Sequence, residues 1–203
     1  MSVFKMGNKS LVTQSGDDEP VVASNVDFSS ATFPAGHVIQ TIVAKKTDEN
    51  SASLTATSLT KFVDGSGNAE WRATIDNVTS GNDIIVSATF TIRVGHTQDQ
   101  HGISMGFKRD TGTPSNSGGT DAYESTSGHG MIYIDGRGAW GGGGGEVIRY
   151  ETEHLMFVDQ NPGSGTFNYY LGGEVQSSGS GIIVRSENSP NFPFFMTLQE
   201  IQR

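Results

Sequence analysis

The clearest pattern in the chain is an alternation of apolar and polar side chains over residues 84–94. Its recurring apolar positions are Ile84, Val86, Ala88, Phe90, Ile92 and Val94. A period of two is typical of a β-strand with one face in a core and the other in solvent. The same alternation returns at Ile103, Met105 and Phe107. Both segments therefore predict strands of antiparallel sheets.

Shorter runs of the same kind cover most of the remaining chain. They lie at Val38–Ala44, Leu54–Val63, Trp71–Ile75, Met131–Ile134, Val147–Glu151, Leu155–Val158, Phe167–Leu171, Ile182–Arg185 and Phe194–Ile201. Turn-forming residues such as Asn161-Pro162-Gly163 separate them. No window shows the spacing of an amphipathic helix. We therefore predict an all-β fold, an antiparallel, jelly-roll-like β-sandwich over residues 33–203.

Residues 1–32 depart from this rhythm, and the break falls at Phe33-Pro34-Ala35-Gly36. The apolar side chains of this leader are too frequent for a disordered tail and too scattered to build a core of their own. We predict an extended attachment segment that buries its apolar residues against a larger particle or against sister chains. The candidate attachment residues are Phe4, Leu11, Val12, Val21 and Val22.

Two stretches lack a clear strand pattern and are rich in small residues, at 110–130 and 136–145. Loops of this length in a compact domain are usually functional or mobile. Tyr123, Arg137 and Trp140 lie in them, and an exposed aromatic ring offers a flat apolar face to a saccharide or a protein. We predict these three residues as contacts to a receptor or another surface. The alternative is that Trp140 covers the edge of the sandwich.

The composition narrows the possible partners. The 203 residues carry a formal net charge of −9 and 13 scattered Lys and Arg residues, so we do not expect nucleic acid as a partner. The absence of Cys excludes disulfides and thiolate metal sites. No segment resembles a signal peptide or reaches the roughly 20 apolar residues of a membrane span. We therefore predict synthesis in the cytoplasm and no membrane insertion.

Candidate catalytic and metal-binding residues are sparse. His96 and His101 bracket a loop, a spacing that does not match a helix-borne zinc pair. Carboxylates such as Asp121, Glu124 and Glu146 leave a glycosidase pair conceivable, yet no pattern brings two of them together. The chain contains no nucleophile elbow, phosphate-binding loop or dinucleotide fingerprint. We predict no catalytic residue, no metal ion and no cofactor.

Several short segments occur in an order along the chain that resembles the order in a known family. They are residues 33–41, Ser87–Phe90, Phe107–Thr111 with its Arg-Asp pair, and Met156–Asp159 followed by Thr166–Leu171. In this order they resemble a family of bacteriophage virion proteins, of the marine and cyanobacterial phage type, with a C-terminal jelly-roll-like domain. The resemblance covers about residues 33–201. It departs at Met196, where an aromatic residue is expected, and at residues 110–145, which are longer and richer in Gly.

The resemblance implies a non-enzymatic virion structural protein, either a capsid decoration or head fibre or a tail fibre. Its leader would attach to other virion proteins of the capsid or tail, and its sandwich would be displayed for contact with the host. The resemblance also implies a homotrimer located in the virion, with a host surface glycan as a further candidate ligand. Two alternatives remain open: a free-standing carbohydrate-binding, lectin-like module, which would not need the leader, and a jelly-roll glycan hydrolase.

Overall fold

In a computed structural model, the chain divides into two compact units, Met1–Pro34 and Ala35–Arg203. The structure describes residues 2–6, 9–14, 21–22, 34–46, 51–54, 58–63, 66–96, 103–122, 131–134, 147–175, 182–186 and 194–203. Every regular element in these residues is a β-strand, which confirms the predicted all-β class.

The first unit contains three strands: β1 (Ser2–Met6), β2 (Lys9–Gln14) and β3 (Val21–Val22). They pair antiparallel in the order β1-β2-β3. The sequence pattern did not predict these strands, because the apolar residues of the leader do not alternate regularly within them. Antiparallel pairing stabilises them nevertheless, since each strand supplies partners for its neighbour's backbone N–H and C=O groups.

The second unit contains twelve strands among its described residues. They are β4 (Val38–Lys46), β5 (Ser51–Leu54), β6 (Thr60–Lys61), β7 (Arg72–Val78), β8 (Asp83–His96), β9 (Ile103–Thr111), β10 (Thr120–Asp121), β11 (Ile132–Ile134), β12 (Val147–Asp159), β13 (Gly165–Val175), β14 (Ile182–Ser186) and β15 (Phe194–Ile201). The two runs predicted within residues 147–158 form one strand, β12. Residues 152–154 lie between the two runs and pair with β8 without a break. The side chains of Thr152 and His154 also hydrogen-bond to those of Thr91 and Thr89.

Two antiparallel sheets pack against each other. In sheet 1, β9 and β13 are central, with β10 and β11 beside β9 and with β7 and β6 beside β13. In sheet 2, β12 lies on one side of β8, and β15 and β14 lie on the other side, next to β4 and β5. Each sheet has four strand positions in the described chain, connected in a jelly-roll-like order. The predicted antiparallel β-sandwich is therefore confirmed.

Inward-facing residues of both sheets form one core. The buried positions that the alternation predicted are Ile84, Val86, Ala88, Phe90, Ile103, Met105 and Phe107. Trp71 stacks on Phe194 with ring centroids 5.6 Å apart and meets Phe62 edge-on at 5.1 Å. Met196, which replaces an expected aromatic residue, is also fully buried here. Its unbranched side chain adapts to the available space.

A buried carboxylate fixes the end of the sandwich where β7 turns into β8. Glu200 occupies an inward position of β15 and is 0% exposed. It accepts hydrogen bonds from Thr79 N–H (2.9 Å), Asn82 Nδ2 (2.6 Å) and Gln40 Nε2 (2.7 Å). These donors replace the water that the carboxylate loses on burial. The alternation of β15 predicts the inward position, whereas the partners come from distant parts of the chain.

The chain enters and leaves the sandwich at adjacent positions. Gly36 N–H donates to the C=O of Gln202 at 2.6 Å, and Gln202 N–H donates to the C=O of His37 at 2.9 Å. Gly36 has a φ of 83°, which Gly adopts more readily than other residues. These bonds extend the pairing of β4 with β15 beyond the ends of both strands.

Candidate functional site

Strand β13 is buried on both faces. Residues 167–175 are all buried, although an antiparallel sheet in a sandwich commonly exposes every second side chain. Phe167 and Tyr169 face the core, whereas Asn168 and Tyr170 face outward and are buried as well. Residues 112–119, between β9 and β10, contribute to this burial, because they hydrogen-bond to Asn168 and Tyr170. We call them the covering segment.

Lys61 binds the covering segment to the sheet. Its ammonium group donates to the carboxylate of Asp110 (2.5 Å) and to the C=O groups of Ser115 (3.0 Å) and Ser117 (3.5 Å). The same group lies 3.9 Å from the centre of the Tyr170 ring. The side chains of Lys61 and Asp110 are only 1% and 9% exposed. All three donors of the ammonium therefore have partners, and a cation–π contact is added.

Further bonds hold the covering segment at both ends. Ser115 N–H donates to the Tyr170 hydroxyl at 3.0 Å, and Asn168 Nδ2 donates to the C=O of Gly112 at 2.8 Å. Burial raises the pKa of Tyr170, so its hydroxyl stays neutral. Gly119 has a φ of 86°, and a Cβ added there would clash with the Asp110 carboxylate and lie 3.0 Å from the C=O of Arg109. The segment thus requires Gly at this position.

A second charged pair connects the two sheets. Arg109 of β9 and the Tyr169 hydroxyl of β13 both donate to Oδ2 of Asp159, at the end of β12. The Tyr169 bond measures 2.7 Å. Burial raises the pKa of Tyr169, and the negative charge of Asp159 and their hydrogen bond raise it further. The hydroxyl therefore remains a donor at neutral pH, and three strands are bound together at one carboxylate.

An open cleft lies beside the covering segment. Its lining consists of Arg109, Asp110, Thr111, Thr113, Ser115, Gly119 and Thr120. Hydroxyl and backbone groups are frequent there, so the cleft can hydrogen-bond a polar ligand. Its two charged side chains are already engaged, Arg109 with Asp159 and Asp110 with Lys61. The cleft therefore offers hydroxyl and backbone groups for binding, and the carboxylate of Asp110 in it is paired with Lys61.

A second cleft is positively charged. Lys45, Lys46, Glu70, Arg72 and Phe194 line it. Lys46 forms an ion pair with Glu70, and the ammonium of Lys45 lies 5.6 Å from the centre of the Phe195 ring. Three cations against one carboxylate can attract an anionic group to this part of an otherwise acidic chain.

The predicted attachment residues lie in the strands of the first unit: Phe4 in β1, Leu11 and Val12 in β2, and Val21 and Val22 in β3. The backbone register places Phe4 opposite Val12 and Val12 opposite Val22. Three of the five residues therefore form one row across the sheet, and Val21 pairs with Thr13. Their role in attachment stays a prediction.

The predicted contact residues Tyr123, Arg137 and Trp140 lie outside the described residues, and their role stays a prediction too. The structure differs from the sequence interpretation for the first part of the 110–130 stretch. This part was expected to be a loop available for contacts, yet the covering segment is bound to the sheet by Lys61, Tyr170 and Asn168.

The candidate catalytic and metal-binding residues do not come together in the described part of the chain. Within the residues that the structure describes, no group of three His, Cys, Asp or Glu side chains could hold a metal ion. His154 hydrogen-bonds to Thr89 at 2.8 Å, and Asp121 pairs with Lys108 at 2.6 Å. His101, Glu124 and Glu146 lie outside the described ranges. The same ranges contain no helix long and apolar enough to cross a membrane.

Sequence reasoning missed the most enclosed charged residue of the site. Arg109, Asp110 and Asp159 were visible within the segments that carry the resemblance. Lys61 gave no signal, because a single Lys after Thr60 is typical of a solvated strand end. Its partners are 49 and more residues away in sequence.

Comparison with models of known protein families and with curated proteins finds no match for this chain.

Proposed function

We propose that this chain is a non-enzymatic structural protein of a bacteriophage virion, either a head decoration or fibre or a tail fibre. The observation that carries the proposal is the division of the chain into Met1–Pro34 and Ala35–Arg203. The larger unit has a continuous core of its own, so it does not need the leader for burial of apolar surface. A small separate sheet ahead of such a unit suits attachment at one end and display at the other.

A second observation supports the proposal of a displayed protein. Arg109, Asp159 and Tyr169 belong to three of the segments that carry it, and they meet in one hydrogen-bonded group between the sheets. The segments therefore have a shared physical role in holding β9, β12 and β13 together. This role suits a displayed protein, which must keep its shape without disulfides.

The covering segment gives the sandwich a fixed polar surface. Lys61 and Asp110 hold it from below, so the hydroxyl groups beside it are presented on a rigid backbone. Preorganised groups bind with a smaller entropy cost than mobile ones. We propose this cleft as a contact with a host receptor or surface, and we propose a homotrimer as the displayed form. Tyr123, Arg137 and Trp140 stay predicted contacts from the sequence.

Incorporation into phage particles tests the attachment role. A chain lacking residues 1–32 should keep its β-type circular dichroism and its thermal midpoint, yet it should be absent from particles purified by density gradient. In the full chain, Val12→Asp in the central leader strand should also reduce incorporation, because it places a charge in the apolar row. Ser10→Asp, in the same strand, is the matched control and should be incorporated.

The outcomes separate the parts of this proposal. Normal incorporation of both the truncated chain and Val12→Asp would show that the leader is not the anchor. Absence of the unaltered chain from particles would contradict the virion role itself. Electron microscopy of intact particles carrying the chain then distinguishes a position on the head from one on the tail.

A free-standing carbohydrate-binding module is the second candidate, favoured by the hydroxyl-lined cleft beside the covering segment. It predicts saturable binding of the full chain to members of a glycan array together with absence from particles. Substitution of Thr113 and Thr120 by Ala should weaken that binding, because both hydroxyls line the cleft. Release of oligosaccharides in the same assay would instead indicate a glycan hydrolase.

A further inference from the structure

The outer face of sheet 2 carries all the large hydrophobic side chains that are exposed in the described part of the chain. They belong to three strands, β4, β12 and β15: Val38, Ile39, Val43, Met156, Val158 and Phe195. Isolated exposed apolar residues are ordinary on a protein surface, whereas several on one sheet face mark an interaction site.

Most of these residues form two strips on opposite edges of the sheet. The β12 strip consists of Met156 and Val158, which are 61% and 48% exposed, and the β4 strip consists of Val38, Ile39 and Val43, up to 63% exposed. β8 and β15 separate the strips. Their outward positions are mainly small or polar, apart from Ile85, Phe195 and Ile201, and include Ser87, Thr89, Thr197 and Gln199.

The same face is almost without negative charge. Its outward positions from Thr89 to Ile85, and those opposite them on the other strands, contain no Asp or Glu. Asp83 lies at one end of the face, with Arg203 3.8 Å away. The chain carries a net charge of −9, so two copies repel each other over much of their surface. A face without Asp or Glu lowers the electrostatic cost of their approach.

We propose that copies of this chain assemble as a ring of three in which the β12 strip of one copy packs on the β4 strip of the next. This inference rests on the homotrimer part of the proposed function and assigns its interface. A ring requires two different patches that complement each other, whereas a two-fold dimer uses one patch against itself. Two separate apolar strips on opposite edges meet the requirement of a ring.

The face is wide enough for two separate strips. Four strand positions about 4.8 Å apart and about seven residues of about 3.3 Å rise give a face of roughly 400 Å² before side-chain relief is counted. The two apolar strips make up part of this face, and small or polar residues lie between them. Burial between copies removes the two strips from water.

Paired cysteines provide the test, because the chain contains no native Cys. Val43 and Met156 lie in one row across sheet 2, joined through Thr197 and Ser87. Three strand spacings separate them, about 14 Å, which is too far for a disulfide within one chain. In the full-length Val43→Cys/Met156→Cys variant, a disulfide between these strips can form only between copies.

After oxidation, this variant should run as covalent dimers and trimers on a non-reducing gel, and the unaltered chain should show the mass of three chains by light scattering. Each single-cysteine variant should stay uncrosslinked, because the contact joins different strips. Val43→Cys/Thr113→Cys is the matched control. Thr113 is exposed like the strip residues, but the covering segment lies on sheet 1, so this pair should not crosslink. The strips of two copies could be shifted along the strand direction relative to each other. A second pair, Ile39→Cys/Val158→Cys, tests for a disulfide in such a shifted arrangement.

Charge substitutions give a measurement that does not depend on disulfide geometry. Met156→Asp and Val43→Asp should each shift the mass toward one chain, whereas Thr113→Asp should leave three. Trimers that survive both strip variants and form no crosslinks would overturn the interface. Crosslinked dimers from single-cysteine variants would indicate a two-fold contact instead. A monomeric unaltered chain would remove the trimer itself, while particle incorporation remains a separate result.

Discussion

Lys side chains usually lie in solvent, yet Lys61 is enclosed by Asp110, Tyr170 and the covering segment. Removing an ammonium and a carboxylate from water is costly, and their attraction offsets that cost only when the remaining hydrogen-bonding groups also have partners. The carbonyl groups of Ser115 and Ser117 provide them here. The pair therefore contributes most to stability when it is complete, and removal of one partner leaves a buried charge.

Replacement of Lys61 by Met should lower the free energy of unfolding by about 3 kcal/mol, because the Asp110 carboxylate then stays buried without its cation. Urea denaturation followed by circular dichroism measures the change. Lys46→Met is the matched control: its partner Glu70 is about one-third exposed, so the loss should be below about 1 kcal/mol. Equal losses in the two variants would contradict the importance of burial at Lys61.

The buried tyrosines make stability depend on alkaline pH. An ordinary Tyr has a pKa of about 10, and burial raises the pKa of Tyr169, as do its hydrogen bond to Asp159 and that residue's charge. Above about pH 10, the unfolded chain loses the phenolic proton while the folded chain retains it. The unfolded state then binds fewer protons, so the free energy of unfolding falls as the pH rises.

We expect this fall to approach about 1.4 kcal/mol per pH unit for Tyr169. Burial also raises the pKa of Tyr170, so both contribute. Urea denaturation at a series of pH values between 9 and 11.5 measures the slope. Tyr169→Phe should be less stable at neutral pH, since it loses the bond to Asp159, and its slope above pH 10 should be shallower. An unchanged slope would contradict the assignment.

At the level of the element, the covering segment depends on the backbone of Gly119. Its φ of 86° and the nearby Asp110 carboxylate leave no room for a side chain. Gly118 has a similar φ of 70° but open space around it. The two neighbouring glycines therefore separate the cost of the backbone conformation from the cost of a steric clash.

Gly118→Ala should lower the free energy of unfolding by about 1 kcal/mol through backbone strain alone. Gly119→Ala should lower it by about 3 kcal/mol, because the added methyl group also displaces Asp110 from Lys61. Limited proteolysis reports the local effect: the covering segment should be cleaved faster in Gly119→Ala than in Gly118→Ala. Similar cleavage rates would show that the clash is relieved elsewhere.

The strands that the sequence predicted best are those with one buried face. In β8 and β15, a period of two identifies the inward residues, because burial there depends mainly on the side of the sheet. β13 does not follow this rule, since residues from a distant segment bury its outer face at Asn168 and Tyr170. A pattern read along one strand contains no information about such a cover.

At the level of the whole molecule, two buried carboxylates join the sheets. Asp159 of sheet 2 accepts hydrogen bonds from Arg109 and Tyr169 of sheet 1. Glu200 of sheet 2 accepts hydrogen bonds from the turn that follows β7. Sequence patterns predicted the sandwich, because it follows from many short alternating strands. They did not predict these junctions, since each pairs groups far apart in sequence. For the same reason, the candidate contacts at Tyr123, Arg137 and Trp140 could be proposed only from residue type.

The hydrogen bonds between Gly36 and Gln202 have a consequence for any fusion to this protein. Because β15 ends beside the start of β4, a cargo attached to Arg203 would emerge next to the point where the leader joins the sandwich. β8 begins beside Ile201 and runs away from it to His96. An insertion after His96 would therefore carry its payload from the opposite end, away from the leader junction.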